Sequence, residues 1–212
     1  MSSGITNRGS LVVLSGFSGV GKGTVLKTMI GRYDNYAYSV SATTRSPREG
    51  EVEGKDYFFK SAEEFESMIR DGKLLEYARY VDHYYGTPRD YVEKQMDLGR
   101  NVILEIEVQG ALNIKKMVPD SVLIYMLPPD AATLKQRLTG RGTESEEVIS
   151  GRLKAAAQEA KSISCYDYVI VNDDADRCAD RLHSLICSQR YRTSRNLGFI
   201  GEIQKELDSY TD

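Results

Sequence analysis

Tryptophan is absent from this 212-residue chain, cysteine occurs three times and histidine twice. Cys165, Cys178 and Cys187 are odd in number and none stands in a C-x-x-C pair, which speaks against a disulfide framework and a zinc site. His83 and His183 are isolated along the sequence and are read as surface or internally satisfied side chains, not as metal ligands. Neither sign of charge dominates: 28 basic residues stand against 31 acidic ones, a net charge of -3. No nucleic-acid or membrane surface is therefore expected, and any anion site must be local. No run approaches the roughly 18 apolar residues of a membrane span, and Met1 to Arg8 lacks the apolar stretch of a signal peptide. A soluble, cytoplasmic protein is expected, of a size that suits one α/β domain with small insertions. The fourteen tyrosines are read mostly as strand and core residues.

What the chain does have is a glycine-rich turn between two regular elements. Leu11-Val12-Val13-Leu14 is an apolar run of strand length, and Val25, Leu26, Met29 and Ile30 recur at the spacing of one helix face, with Gly31 suited to the helix end. Between them Gly16-Phe17-Ser18-Gly19-Val20-Gly21-Lys22 fits the first seven positions of G-x-x-x-x-G-K-[ST]. That loop turns successive backbone N–H groups onto phosphates, with a helix dipole behind them and a lysine at the outer phosphates. Gly23 stands at the eighth position and the hydroxyl arrives at Thr24, so a metal is expected to be bridged by water instead of bound directly by that side chain.

Further strand-like runs at Val102–Leu104, Val122–Leu127 and Tyr168–Val171 alternate with helix-patterned segments, which predicts a parallel sheet with helices on both faces. Two stretches break the alternation. Residues 41–87 are polar and tyrosine-rich, with strand pieces at Tyr57–Phe59 and Tyr77–Tyr80 around a helix opened by the capping box Ser61-Ala62-Glu63-Glu64. Residues 135–161 carry arginines and a second box, Thr143-Glu144-Ser145-Glu146; Thr87-Pro88 reads as N-cap and N1 of the helix that returns to the core. The charged, helical segment from Asp174 to Asp212 offers packing or subunit contacts but no chemistry.

In the first of these stretches Arg45 and Arg48, flanked by Ser41, Thr43 and Thr44 and followed by Tyr57, can surround a second phosphate. Guanine presents N1–H and N2–H₂ donors and an O6 acceptor, and Glu76, Glu107, Ser41 and Thr87 supply the carboxylates and hydroxyls that would read it.

The motifs "SGFSGVGKGT", "SATTRSPREGEVEGKDYFF", "EYARYVDHYYGTP", "LEIEVQGA", "RLTGRGTESEE", "GRLKAAAQEA" and "YDYVIVND" follow one another from Leu11 to about Ile186, and in them the chain resembles the guanylate kinases. The resemblance implies a P-loop three-layer α/β/α domain over 9–212, with a core of 9–40, 88–134 and 162–212, a GMP-binding subdomain at 41–87, a lid at 135–161 and a flexible 1–8. It implies that Gly16 to Thr24 bind ATP, with Asn172 and Asp173 near the adenine. Arg45, Arg48, Tyr57 and Tyr85 are implied to hold the GMP phosphate, and Ser41, Glu76, Thr87 and Glu107 the guanine. Lys22, Arg45, Arg137, Arg141 and Arg152 are the implied catalytic residues. Mg²⁺ accompanies ATP, with Glu105 reaching it through water and Thr24 as a further contact.

Phe17 stands where the family usually has proline, and Leu104-Glu105-Ile106-Glu107 replaces "LDID" with acids one methylene longer. The expected reaction is phosphoryl transfer from ATP to GMP, and also to dGMP, by a monomer or homo-oligomer with no nucleic-acid or membrane partner. Rival readings are a non-catalytic phosphopeptide-binding module of the same fold and a kinase for another nucleoside monophosphate.

Overall fold

In a computed structural model, residues 4–80, 82–140 and 145–211 are described, with only the backbone of Tyr80. The chain begins with strand β1 (Leu11–Gly16), the phosphate-type loop and helix α1 (Lys22–Arg32), followed by β2 (Tyr36–Tyr38). Next come β3 (Ala42–Thr43), β4 (Phe58–Phe59), α2 (Ala62–Arg70), β5 (Leu74–Tyr80) and β6 (His83–Pro88). Helix α3 (Arg89–Asp97), β7 (Asn101–Glu105), α4 (Val108–Met117), β8 (Val122–Leu127), α5 (Ala131–Thr139) and α6 (Glu146–Glu159) return the chain to the core. The last elements are β9 (Tyr168–Val171), α7 (Ala175–Ser188) and α8 (Leu197–Asp208).

The five-stranded sheet has the order β2-β7-β1-β8-β9 and every pairing in it is parallel. Alternation along β1 serves two cores. Val12 and Leu14 pack with Val25, Leu26 and Met29 of α1 and Leu182 of α7, while Leu11 and Val13 pack with Val92 of α3 and Ile114 of α4. Each fully buried aliphatic side chain contributes about 1.5–3 kcal/mol, so a strand buried on both faces reads as a continuous apolar run. The four-stranded sheet, order β4-β3-β6-β5, is mixed and has its own small core of Ala42, Phe65 and Leu74. Leu75 of β5 belongs instead to the core under α3 and α4, which joins the two sheets.

All four predicted core strands are present; β2 was not foreseen, because three residues at a sheet edge carry no periodicity. Three local expectations need correction. Helix α1 runs through Gly31 and ends at Arg32, where Tyr33 takes an extended conformation. Helix α3 starts one residue later than Thr87-Pro88 implies, with Pro88 as N-cap, because the Thr87 hydroxyl donates across to Glu76. The N-cap of α6 is Ser145, whose hydroxyl accepts from the Val148 N–H, so the box at 143–146 is shifted; Thr143 and Glu144 lie outside the described residues. His183 is internally satisfied, as expected: its ring stacks on Tyr33, bonds the Tyr36 hydroxyl at 2.9 Å and lies 3.6 Å from Cys187 Sγ. The predicted box on α2 forms as written, Ser61 and Glu64 capping reciprocally. Past α7, Arg195 donates to the carbonyls of Arg8 and Gly9 and to the Ser10 hydroxyl, tying the C-terminal segment to the start of β1.

Candidate active site

The loop after β1 is shaped by backbone that only glycine adopts cheaply. Gly21, the N-cap of α1, has φ 97°, and a Cβ there would lie 2.6 Å from Asn172 Nδ2. Gly19 has φ 84° and lies against Leu138. Behind the loop, Asn172 is buried and donates to the Val20 carbonyl at 2.8 Å, while Arg137 donates to the same carbonyl at 3.1 Å and to the Asn172 carbonyl at 2.9 Å. These bonds, with the Val20 N–H donating to the Phe17 carbonyl at 3.1 Å, hold the turn in place. Asp173, next in sequence, pairs at the surface with Arg181 and Arg177. Phe17 is buried edge-on against Tyr125, so the residue in the usual proline position anchors the loop by packing.

Lys22, the first residue of α1, turns back so that Nζ donates to the Gly16 carbonyl at 2.8 Å. It lines a cavity of about 250 Å³ with Ser15, Gly16, Glu105, Ile106, Glu107, Val108 and Glu159. Burial pulls its ammonium below the ordinary lysine range, and Glu105, Glu159 and Glu107 push it back up. Glu105 ends β7 and Glu107 is the N-cap of α4 without making a capping bond, so both carboxylates are left for the cavity. Thr24 is exposed and is not part of that lining. Among the described residues no group of three or more His, Cys, Asp or Glu could hold a metal ion. The residues present fit a cation that keeps its water and is held mainly by phosphate oxygens, as Mg²⁺ prefers.

The four-stranded sheet builds a second cluster. Arg45, just after β3, lies over the Tyr57 ring at 5.3 Å, and Tyr57 meets Tyr85 of β6 edge to face. The Arg45 fork is bidentate to Glu51 at 2.8 and 3.0 Å, and Glu51 also accepts from the Arg48 backbone N–H at 2.7 Å. The Arg48 guanidinium itself is exposed, so the structure gathers Arg45, Tyr57 and Tyr85 and leaves Arg48 at the rim. On the same sheet Glu76 accepts from Thr87 at 2.7 Å, across the β5–β6 pair. Burial raises the Glu76 carboxyl above the usual carboxylate range and the Thr87 hydroxyl partly offsets that. Ser41 is half-buried beside β3.

Arg152 is half-buried on α6, and Arg141 lies outside the described residues. Two residues of this site carry no role in the sequence reading: Glu51 and Glu159. Both stand inside quoted motifs, but a carboxylate whose partner is an arginine or a buried tyrosine has no signature in spacing alone.

The guanylate kinase family model matches residues 8–189. The guanylate kinase of Streptococcus thermophilus (strain CNRZ 1066) is 53% identical over 195 residues, covering 92% of this chain and 93% of that protein. That of Caldanaerobacter subterraneus subsp. tengcongensis is 46% identical over 202 residues, covering 95% and 98%. The crystal structure of guanylate kinase from Anaplasma phagocytophilum is 35% identical, covers 89% of each chain and superposes with a TM-score of 0.65. With a family model matched over most of its length and relatives near 50% identity over nearly the whole chain, this chain belongs to the guanylate kinase family.

Proposed function

We propose that the chain transfers the γ-phosphoryl group of ATP to GMP, giving ADP and GDP, with dGMP as a further acceptor. The observation that carries this reading is the cavity at the glycine loop, which brings Lys22 together with Glu105 and Glu107, while a separate guanidinium and tyrosine cluster stands on the second sheet. One cradle suits a triphosphate and the other a monophosphate. Residues 41–87 then serve as the GMP-binding subdomain and 135–161 as the lid, around a core of 9–40, 88–134 and 162–212.

Phosphoryl transfer needs in-line placement and charge neutralisation, and the GMP phosphate oxygen is already anionic, so no catalytic base is required. The amides of the Gly16–Thr24 loop and Lys22 hold the ATP phosphates. Arg45, with Tyr57, Tyr85 and the rim residue Arg48, aligns the GMP phosphate, and Glu76, Thr87, Ser41 and Glu107 read guanine. Arg141 and Arg152 screen the moving group, whereas Arg137, which the sequence reading groups with them, acts through the loop whose Val20 carbonyl it holds. Asn172 and Asp173 lie on the adenine side. Bound Mg²⁺ would neutralise phosphate charge, with Glu105 reaching it through water.

The non-catalytic phosphopeptide-binding reading is not favoured, because Lys22 and the intact loop have no task in such a module. A coupled assay offering ATP and Mg²⁺ with GMP, AMP, UMP or CMP tests the proposal. GDP formation with GMP far above the other three is expected. No turnover, or preference for AMP, would overturn it.

A further inference from the structure

Glu159 lines the Lys22 cavity, and the roles proposed above leave it unused. It is the last residue of α6, two turns beyond Arg152, so the two share a helix face with a rise of about 10 Å between them. Its partner is Tyr125, a wholly buried tyrosine of β8 whose hydroxyl donates to Glu159 Oε2 at 3.2 Å. Tyr125 stands in register with Ser15 of β1, and its ring is wedged edge-on between Phe17 and Tyr166 at 5.3 and 5.0 Å. The ring therefore cannot swing, and the hydroxyl has a fixed direction. Burial and the Glu159 charge push the phenol far above its ordinary range, so it stays a donor at any working pH. A buried hydroxyl that loses its acceptor is costly, which makes the bond persistent.

Resting on the reading of α6 as part of the lid, we infer that Glu159 is a positioning residue for phosphoryl transfer. The Tyr125–Glu159 hydrogen bond pins the end of α6 to the floor of the phosphate cavity, and Arg152 moves on that fixed pivot. The bond also links the lid to Phe17, the loop residue packed on the same tyrosine.

The test compares Glu159→Ala, Glu159→Gln, Tyr125→Phe and the double variant Tyr125→Phe with Glu159→Ala, each normalised to folded enzyme by thermal melting. Glu159→Gln keeps an acceptor without the charge, and Tyr125→Phe keeps the ring without the donor. Expected is a kcat loss of about tenfold for Glu159→Ala and for Tyr125→Phe, the worth of one charge-assisted bond. KM for GMP should change by less than about twofold, Glu159→Gln should recover most of the loss, and the double variant should be no worse than either single one.

If Glu159→Gln is as impaired as Glu159→Ala while Tyr125→Phe is normal, the carboxylate acts by charge on Lys22 and the pinning inference is wrong. Unchanged kcat in every variant, multiplicative losses, or a loss that disappears on normalisation would also overturn it. Amide hydrogen exchange over residues 153–165 should rise in Tyr125→Phe, and unchanged exchange there would count against the pivot. A wild-type enzyme that does not phosphorylate GMP would sink the proposed function instead, whatever these variants do.

Discussion

Glu76 is placed under two opposing demands. Burial raises its carboxyl above the usual range, yet guanine's N1–H and N2–H₂ donors need it ionised. The Thr87 hydroxyl, 2.7 Å away, is the local compensation. Thr87→Val should therefore raise the carboxyl further and shift the acid limb of KM for GMP to higher pH, leaving KM for ATP unchanged; steady-state kinetics between pH 5 and 8 read this directly. An unmoved limb would show that another group titrates. The stability sign is fixed by the same shift: the folded chain holds this proton more tightly than the unfolded one, so this group's contribution to stability is present at lower pH and is lost as pH rises through the raised pKa. Glu51 is the contrasting case. Its bond to Arg45 holds its carboxyl below the ordinary range, and it stays ionised as the brace of the clamp.

At the scale of elements, the loop between β1 and α1 concentrates the most constraint in the fewest residues. Gly21→Ala would place a side chain at φ 97° and 2.6 Å from the Asn172 amide that holds the Val20 carbonyl. A left-handed conformation costs a non-glycine residue about 1–2 kcal/mol, which at this chain length lowers Tm by about 2–8 °C. Affinity for an ATP analogue should fall well beyond that cost, since the amides must reorient. A melt combined with an analogue titration separates the two, and wild-type affinity would show the loop does not cradle phosphate.

This loop and the four core strands were legible in the sequence because each is specified locally: glycine where a backbone must bend, apolar runs where β1, β7 and β8 are covered on both faces, and a β-branched run at the edge strand β9, which leaves Val169 and Val171 exposed. Features made across distance were not. The edge strand β2 is defined by its pairing to β7, the Thr87 hydroxyl by a carboxylate on a neighbouring strand, and the environment of His183 by α1 and β2 meeting α7. Arg48 reads as part of the clamp by spacing, yet it is Arg45 whose fork Glu51 holds in place beside Tyr57.

For the molecule as a whole, the question is how two cradles on two sheets reach one phosphoryl group. The sheets are joined through β5, whose Leu75 is packed in the main core while Leu74 belongs to the small one. Beside that junction, between β5 and α4, lies a cleft of about 530 Å³ lined by Leu74, Glu76, Tyr77, Asn113, Lys116 and Met117. Such a gap leaves the second sheet room to close toward α4 with Leu75 as the fixed point of the motion, the form of a hinged closure. Closure is also demanded by chemistry, since water left at the site would compete with GMP for the phosphoryl group. Only both nucleotides together supply contacts from both sides, so neither alone should hold the closed form as fully. Small-angle scattering should show a decrease in radius of gyration with a non-hydrolysable ATP analogue plus GMP that exceeds the change with either one. An unchanged profile would mean that the cradles already sit at transfer distance, and the β5–α4 cleft would then need another explanation.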